Sequence, residues 1–480
     1  MNQTRTALAM SLALATLPAA VFAEETTPAD EDQLVVTATG FAQERREAPA
    51  TISVVGEKEL NTRSNQNVTE ALREMPGVLV GNGNGSLATG DVQMRGMDST
   101  YTSYMVNGIK QGTRESRPYG HHIGTEAAFL PPLAAIERIE VIRGPMSSLY
   151  GSDSIGGVVN VITKKGYNLD TWTGVLEDNY FLQEKSEYGN TNQTNAFLMG
   201  PIIPGKLGVS VAADYLDRRD DDSQNDERFG KHQAGNLDAT INMSPTDTQL
   251  WDLNVVKGHQ VKSHNDKAWQ WDFDRDAASL AQHAWYGDDL LEVKNFISYE
   301  NAKTEYRVPG MSSQFIKQKN YEANSANTFT LGDHKLTLGI NFTRNELDDT
   351  FGIADKEVPG VTPVSKITRN GWAVFAEDAW MMVPDFTLTT SARLDHDSYF
   401  GYHVTPKLYG NWTLDESWAL KGGVSAGYKK PDLRENNEGF TSVYGAYPYS
   451  FIGIGNDDLK PEQSVNTELG VYWQQDTLAL

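Results

Sequence analysis

Beyond residue 168 the chain alternates apolar and polar residues over runs of about ten positions, and no other feature limits its fold as strongly. In the run 207–215 the odd positions are apolar, and the same alternation returns at 336–343, 386–395 and 418–429. Each run has roughly the 9–11 residues with which a tilted strand crosses a bilayer. No stretch after the first 25 residues has the roughly 18 consecutive apolar residues of a spanning helix. If this chain enters a membrane, it therefore does so with strands.

The spacing of the turns separates a membrane barrel from a soluble sandwich. Short turns recur roughly every forty residues, at 204–205, 244–247, 287–289, 332–333, 384–385 and 415–417. Long polar stretches lie between them, at 217–235, 260–276, 308–319, 345–366 and 430–458. Tight turns at one end of the strands and long loops at the other are typical of outer-membrane barrels, whereas sandwich loops have no reason to sort by length. The pattern favours a barrel with a polar lumen.

The N-terminal residues indicate export followed by a tether. Arg5, the apolar run 7–17 and the small residues of Val21-Phe22-Ala23 have the order of a signal peptide. The next segment, 24–32, is acidic and without periodicity, which predicts a flexible tether. It leads into a short β-prone run that is suited to pairing with the sheet edge of another protein.

Composition excludes several classes of function. The chain contains no cysteine, so thiol nucleophiles, iron–sulfur clusters, cysteine-based zinc sites and disulfides are all ruled out. Its formal net charge of −23 repels nucleic acid, which is therefore excluded as a partner.

The segment from about 50 to 165 has a mixed α/β pattern and predicts a domain of its own. A capped helix is predicted at 67–75, where a polar cap precedes apolar positions and Pro76-Gly77 ends the run. Glycine-rich turns separate four predicted strands, at 92–94, 104–106, 139–142 and 158–162. The helices are too few for a doubly wound nucleotide-binding fold.

A long motif within this domain resembles a known family. Residues 136–165, IERIEVIRGPMSSLYGSDSIGGVVNVITKK, resemble the plug signature of TonB-dependent outer-membrane receptors. Segments 92–97 and 104–108 precede it in the family's order, and 459–462 with 468–473 look like a late barrel strand. The amino-acid sequence of the signature is most similar to that of the catecholate siderophore and colicin I receptor branch.

The resemblance implies a transmembrane β-barrel with an N-terminal mixed α/β plug domain in its lumen, in the cell outer membrane of a Gram-negative bacterium. The implied organisation is a signal peptide at 1–23, a periplasmic tether with the TonB box at 24–40, a plug at 41–167 and a partial barrel at 168–480. The implied function is import of a ferric siderophore, energised by TonB and its inner-membrane complex. No enzyme activity, metal site or resident cofactor is expected, since iron travels only in the siderophore complex. Outer-membrane lipid and lipopolysaccharide are expected neighbours, and colicins or phages are candidate partners.

The resemblance also assigns roles to residues before and within the plug. The TonB box is assigned to Asp32, Gln33, Leu34, Val35, Val36, Thr37 and Ala38. Glycines permit tight turns and close packing, and the family's plug arginines are buried and paired with barrel-wall glutamates, since an unpaired buried charge is costly. An exposed turn position is the alternative for either arginine. The plug residues so assigned are Arg95, Gly96, Arg143, Gly144, Tyr150, Gly151, Gly156 and Gly157.

A basic and aromatic cluster in segment 110–126 indicates what the receptor binds. By resemblance, this segment and 81–91 form the plug apices that face outside. The cluster suits an anionic aromatic ligand such as a ferric catecholate, because arginine bonds oxygens and stacks on rings; a solvated loop without function is the alternative. An aromatic loop after residue 429 is expected to form the other half of the site. The predicted ligand contacts are Arg114, Arg117, Tyr119, His121, His122, Lys430, Arg434, Tyr444 and Tyr447.

Other functions have weaker support. Haem receptors carry an axial histidine in the loop corresponding to 434–457, yet no histidine follows His403. Cobalamin stays open on residue type, and the acidic run 220–227 suits either calcium or a solvated surface. No serine lies in a nucleophile elbow, and a plug with a TonB box disfavours a passive porin or an adhesin.

Residues 168–480 hold about fourteen strands at two per turn period, against roughly 22 in the family's barrel. The chain also ends in Thr477-Leu478-Ala479-Leu480 rather than in an alternating strand with a terminal aromatic residue. We therefore expect an incomplete barrel, a truncated receptor that does not insert stably alone, because unpaired strand edges in lipid are costly. A remnant without transport is the corresponding alternative.

Overall fold

The computed structural model describes residues 34–35, 40–62, 65–81, 90–116, 127–222, 230–263, 270–310, 313–350, 360–444, 451–475 and 478–479. These residues belong to one unit, Asp32–Leu480. The predicted signal peptide and most of the predicted tether lie outside the described residues.

The N-terminal part of this unit is a small α/β domain, here called the plug. A five-stranded sheet runs in the order β3-β8-β9-β6-β7, in which β6 and β9 are parallel, and β1-β2 and β4-β5 form two further pairs. The strands are β1 (Leu34–Val35), β2 (Gln43–Glu44), β3 (Thr51–Gly56), β4 (Val78–Val80), β5 (Val92–Met94), β6 (Thr102–Val106), β7 (Ile109–Lys110), β8 (Ile136–Arg143) and β9 (Gly157–Thr163). The helices are α1 (Glu57–Thr62), α2 (Val68–Ala71) and α3 (Ser147–Tyr150), with 3-10 turns at Ser99–Tyr101, Thr113–Ser116, Ala127–Phe129 and Leu133–Ala135.

The plug core lies between its sheet and its helices. Ile136, Ile139 and Val161 are fully buried there together with Leu72 of the turn after α2. All four predicted plug strands are present, and three of them extend by one to three residues at an end. The predicted helix at 67–75 is wrong in length, because after Ala71 the backbone bonds change to an i to i−3 pattern and the helix becomes a series of turns.

The rest of the chain forms one antiparallel sheet of fifteen strands, here called the wall. Its order is β10 to β22 followed by β25 and the two-residue β26, and the separate pair β23-β24 lies in the loop between β22 and β25. The first strands are β10 (Thr173–Phe181), β11 (Thr191–Ile203), β12 (Leu207–Arg218), β13 (Lys231–Thr246), β14 (Gln249–Ser263), β15 (Gln270–Tyr286), β16 (Leu291–Arg307), β17 (Gln314–Leu331) and β18 (His334–Asp349). The others are β19 (Lys366–Val383), β20 (Phe386–Asp397), β21 (Gly401–Thr413), β22 (Trp418–Lys429), β23 (Thr441–Tyr444), β24 (Phe451–Ile454), β25 (Glu462–Gln475) and β26 (Leu478–Ala479). The fourteen long strands match the number predicted from the turn spacing.

The two faces of the wall sort as the alternation predicts. Tyr215 and Phe342 are each 51% exposed, whereas Ser210 and Thr337, on the opposite faces of the same strands, are 7% and 0% exposed. The apolar face is therefore the outer one, and the polar face packs against the plug, as in a membrane barrel. A soluble sandwich would bury the apolar face instead.

The wall curves around the plug, because strands at both ends of its order contact it. Gln193 of β11 donates to the Gln66 carbonyl at 3.1 Å, and Lys421 of β22 donates to the Ala48 carbonyl at 3.0 Å. All six predicted short turns are hairpin turns at one end of the strands, here called the short-turn end, and the longer loops lie at the long-loop end. Within the described residues, no helix has both the length and the apolar character that would be needed to cross a membrane.

Candidate functional site

A cavity of about 160 Å³, here called the vestibule cavity, lies between the plug and the long-loop half of the wall. The plug contributes residues of β6, the end of β7 with the segment after it, and the end of α3 with the turn after it. The wall contributes strands β16 to β20 and β22, together with residues 430–432. The described lining carries more carboxylates than cations, together with several aromatic rings. It includes Lys110, Arg114, Glu115, Tyr150, Asp153, Glu300, Tyr321, Glu322, Arg369, Trp372, Arg393, Asp395, Asp397, Tyr428, Lys430 and Asp432.

Two plug cations line the vestibule cavity, and both have partners within the plug. Lys110 donates to Oδ2 of Asp153 at 2.7 Å. Arg114 donates to the carbonyl oxygens of Thr100 and Thr102, the second at 2.7 Å. Burial alone would raise the pKa of Asp153, but the charges of Lys110 and Arg114 hold it below its usual range. Arg114, a predicted ligand contact, thus also stabilises the plug backbone.

Arginines fasten the segment 430–440, here called the docked loop, to the plug and the wall. Arg434 donates to Oδ2 of Asp349 at 2.7 Å and to the carbonyl oxygen of Glu115 at 2.7 Å. Arg369 donates two hydrogen bonds of 2.9 Å to oxygens of the docked loop. Because the arginines bridge three parts of the chain, the docked loop is held against the plug apex.

Lys430 of the docked loop and Arg393 of β20 also line the vestibule cavity, and they reach α3 and the turn after it. Lys430 pairs with Asp397 at 3.1 Å, and its backbone N–H donates to Oγ of Ser152 at 3.0 Å. Arg393 donates to the Leu149 carbonyl at 3.0 Å. The wall and the docked loop therefore hold α3 and the turn after it at the floor of the vestibule.

Glu115 is the carboxylate at the contact between the plug and the docked loop. Its Oε2 accepts the backbone N–H of Leu433 at 2.9 Å. Burial and the neighbouring charge of Asp432 raise the pKa of Glu115 to about 7, against the opposing effects of Arg369 and Arg434. This carboxyl group therefore titrates near neutral pH when the loop is docked.

The pKa of Glu115 makes docking of the loop dependent on pH. The docked state holds the Glu115 proton more tightly than the open state. Protonated Glu115 therefore stabilises the docked loop fully below the ordinary pKa of 4.5, and this stabilisation is lost as the pH rises through about 7. We expect hydrogen-exchange protection of the Leu433 amide, corrected for intrinsic exchange, to fall between pH 5 and about 8. Glu115→Gln should flatten this profile; an unchanged slope in that variant would contradict the assignment.

Only some of the predicted ligand contacts fall within the described residues. Arg114, Lys430 and Arg434 are brought together around the vestibule cavity and the docked loop. The backbone of Tyr444 pairs with Phe451 in β23 and β24. Arg117, Tyr119, His121, His122 and Tyr447 lie outside the described residues.

Sequence reasoning missed the wall residues Arg369, Trp372 and Arg393, which line the vestibule cavity. Arg393 lies on the polar face of the alternating run 386–395, so its register carries a signal. Arg369 and Trp372 lie on opposite faces of β19, where no alternating run was identified. The alternation does not show how far along its strand each residue lies, and this position decides whether the residue lines the cavity.

The two plug arginines differ from each other and from the prediction. Arg95 donates to Oε2 of Glu468 in β25 at 2.9 Å, so it has a wall glutamate as partner. It is not buried as expected, since 35% of its side chain is exposed beside the last long strand of the wall. Arg143 donates instead to the Pro76 carbonyl and the Ser53 hydroxyl, because it ends β8 on the plug's own surface. The hydrogen bonds of Arg143 therefore stay within the plug, while the neighbouring charge of Glu468 on the wall opposes the lowering of the Arg143 pKa by burial and by Arg95.

The signature glycines sit where side chains would collide. Gly157 has a φ of 153°, and a Cβ there would lie 2.2 Å from the Ile142 carbonyl oxygen. Gly151 has a φ of 72° beside the Arg393 guanidinium. These positions shape the turn after α3 and its contact with the wall.

The described part of the predicted TonB box is the two-residue strand β1. Leu34 and Val35 pair with Glu44 and Gln43 of β2. The Val35 side chain is fully buried, in a cluster that includes Phe375 of the wall. Asp32, Gln33, Val36, Thr37 and Ala38 lie outside the described residues.

The acidic run at 220–227 is described only up to Asp222. Asp221 is buried and accepts hydrogen bonds from Arg218 and from the Gly189 backbone N–H. Over the ranges that the structure covers, no group of three or more histidines and carboxylates is arranged to hold a metal ion.

Two family descriptions match the chain. A TonB-dependent receptor plug domain matches residues 44–158, and a TonB dependent receptor-like β-barrel matches residues 166–480.

Curated relatives cover almost the whole chain. The iron-regulated outer membrane virulence protein of Vibrio cholerae is 34% identical, over 98% of this chain and 70% of its own length. The ferrienterobactin receptor of Escherichia coli is 25% identical, over 94% and 69%. The vitamin B12 transporter of Photobacterium profundum is 27% identical, over 97% and 71%. Among solved structures, the siderophore receptor PirA of Acinetobacter baumannii superposes with a TM-score of 0.79 at 22% identity, over 91% of this chain and 69% of that one.

Proposed function

Because this chain belongs to the TonB-dependent receptors of the Gram-negative outer membrane, which are transporters and not enzymes, we propose that it imports a ferric siderophore of the catecholate class. Two relatives, one named as a ferrienterobactin receptor and one as an iron-regulated outer membrane virulence protein, support a siderophore as the transported ligand. A relative named as a vitamin B12 transporter makes cobalamin the second candidate.

The vestibule cavity is the observation that carries the proposal. Lys110, Arg114 and Glu115 of the plug line this cavity. Residues 117–126, which include an arginine, a tyrosine and two histidines, come directly after this segment in the sequence. Trp372 and Tyr428 on the wall side line the same cavity as Arg369 and Arg393. Such a combination bonds anionic oxygens and stacks on catechol rings.

Energy coupling is the second part of the proposal. The plug packs against the inner face of the wall. The outer membrane has no energy source of its own, so moving the plug requires work from outside the receptor. We assign this work to TonB, which would add a strand to residues 32–38 and pull. The pairing of Leu34 and Val35 with β2 supports this assignment, because these two residues have the extended backbone that strand addition requires.

A binding panel tests the cargo. Purified full-length protein is titrated with ferric enterobactin, a ferric hydroxamate, haem and cobalamin, and we expect tight binding of the first alone. Arg117→Ala should weaken ferric enterobactin binding by about tenfold, because it removes a charge-assisted contact. Arg73→Ala, at an exposed plug arginine outside the vestibule lining, is the matched control and should bind normally. Binding of cobalamin or haem alone would overturn the proposal.

A further inference from the structure

The outer face of the wall carries a continuous groove, here called the outer groove. Two adjoining depressions of about 860 Å³ and about 310 Å³ form it. Both are lined by the same four residues of strands β15 to β18, namely Leu280, Ile297, Ala323 and Phe342. The larger depression reaches Arg344 towards the long-loop end, and the smaller one reaches Ile340 near the middle of β18.

The sizes of the side chains on three neighbouring strands create the outer groove. Ala323 of β17 lies directly opposite Ile297 of β16 and Phe342 of β18. These two neighbours are 58% and 51% exposed, so all three side chains point outwards. Two positions further along β17, the small Ser325 lies beside Ile340. Small residues on β17 therefore form the floor, and large residues on both sides form the ridges.

Two tyrosines mark the upper end of the outer groove. Tyr299 and Tyr321 lie opposite each other on β16 and β17, with ring centroids 5.1 Å apart, and both line the groove. In membrane barrels, aromatic residues lie at the level of the lipid head groups, and the longer loops face the outside. The head groups of the outer leaflet therefore lie at the level of these tyrosines.

Four cations lie at this level or just beyond it on the same face. Arg344 lies directly opposite Tyr321. Lys319 and Lys317 come two and four positions before Tyr321 on β17 and share its face, and Lys303 lies opposite Lys317. These four side chains are here called the cation patch. It contrasts with the chain as a whole, whose net charge is −23.

Two members of the cation patch have carboxylate partners. Arg344 binds Glu346 at 2.7 Å, and its side chain is still 54% exposed. Lys303 binds Glu305 at 2.8 Å.

The other two members are the adjacent lysines of β17. Asp348 lies opposite Lys317, but its carboxylate is 3.6 Å from Lys366 of the next strand. Over the part of the chain that the structure describes, neither Lys317 nor Lys319 forms an ion pair. These two lysines are therefore available to an anion from the surrounding membrane.

The cation patch, and not the groove alone, determines which lipid is preferred. Acyl chains are as apolar as leucine, so an apolar groove in a bilayer gains no hydrophobic free energy from one lipid over another. Charge-assisted bonds from lysine and arginine to phosphate supply the selectivity. Cations at the head-group level with a groove beneath them match an anionic lipid whose head group faces outside.

We propose that the outer groove and the cation patch bind a phosphorylated lipid of the outer leaflet, lipopolysaccharide. Its phosphates contact Lys317 and Lys319, and one of its acyl chains lies between Ile297 and Phe342. A second copy of the chain fits this face less well, because a two-fold interface would bring two cation patches together. The proposal depends on the outer-membrane location and is independent of the ligand that is transported.

A comparison of lipids tests the proposal without any variant. The full-length receptor, purified in detergent, is mixed with lipid A, with dephosphorylated lipid A or with phosphatidylethanolamine, and bound lipid is measured by native mass spectrometry. We expect lipid A to bind at least tenfold more tightly than the other two. Equal binding of dephosphorylated lipid A would overturn the proposal, and so would receptor dimers that form instead of lipid adducts.

A charge variant tests the head-group contact. K317Q/K319Q should weaken lipid A binding at least tenfold, because it removes two charge-assisted bonds. The matched control is K257Q on the outer face of β14, where strand register places Lys257 in the same row as Lys319 and where its side chain is 75% exposed. This control should bind normally. Unchanged binding by K317Q/K319Q, or an equal loss in K257Q, would contradict the assignment.

A packing variant tests the acyl-chain contact. A323W places a large side chain on the floor of the outer groove and should weaken lipid A binding at least fivefold. V374W is the matched control, because Val374 also points outwards, is 42% exposed and lines neither depression. Normal binding by A323W would show that the receptor holds only the head group, which would overturn the proposed site.

Discussion

Val35→Pro is expected to lower siderophore uptake by about a hundredfold or more while leaving ferric-ligand affinity unchanged. Proline has no backbone N–H, so it removes a donor from any strand that pairs with residues 32–38, including the strand that we assign to TonB. The ligand site at the vestibule lies at the other end of the plug and loses no contact. Uptake of iron-labelled ferric enterobactin and its equilibrium binding, measured on the same cells, separate the two effects.

The control for this variant is Val35→Ala. Val35 is fully buried against the plug and Phe375, so shortening it also loosens packing, but alanine keeps the N–H. We expect Val35→Ala to retain most of the uptake. Normal uptake by Val35→Pro would show that TonB does not pair with this segment.

Glu468→Ala is expected to loosen the contact between the plug and β25. The Glu468 carboxylate accepts hydrogen bonds from Arg95 at 2.9 Å, from Tyr409 at 3.3 Å and from the Thr51 hydroxyl. Losing the bonds to a charged group costs about 2 kcal/mol, even with Arg95 partly exposed. Hydrogen exchange of β3 should rise about 30-fold, and cells should become sensitive to antibiotics that the outer membrane normally excludes.

Glu468→Gln separates charge from hydrogen bonding in this contact. Glutamine keeps one acceptor oxygen and the size of the side chain, so we expect an effect about half as large. In a double-mutant cycle, Arg95→Ala should add little in the Glu468→Ala background, because the shared bond is already gone. Full additivity would mean that the two side chains do not act as a pair.

The strands of the wall could be predicted from the sequence because the patterns that specify them lie within short stretches of the chain. Alternation at 207–215 and 336–343 fixes which face of each strand is apolar, and tight turns such as Pro204-Gly205 fix where the strands end. The exposed Tyr215 and buried Ser210 follow directly from this pattern. The plug signature similarly predicted the strands β8 and β9 around its glycine turn.

The candidate site depends on contacts between residues that lie far apart in the chain, and the sequence does not show which of these residues meet. The bond between Arg275 and Gln111 joins residues 164 positions apart, and the bond between Arg434 and Glu115 joins residues 319 positions apart. Which partner each charge meets depends on how far each strand is shifted along its neighbour. For the same reason the sequence showed that segment 110–126 is basic and aromatic, but it did not show that Lys110 pairs with Asp153.

The most direct test of the central claim is energy-dependent import. Cells that lack their own catecholate receptors and express the full-length receptor are given iron-labelled ferric enterobactin, with and without a proton-gradient uncoupler and with and without TonB. Our account predicts uptake that needs both the gradient and TonB, while binding at the cell surface needs neither. Uptake that persists without the gradient or without TonB would contradict it.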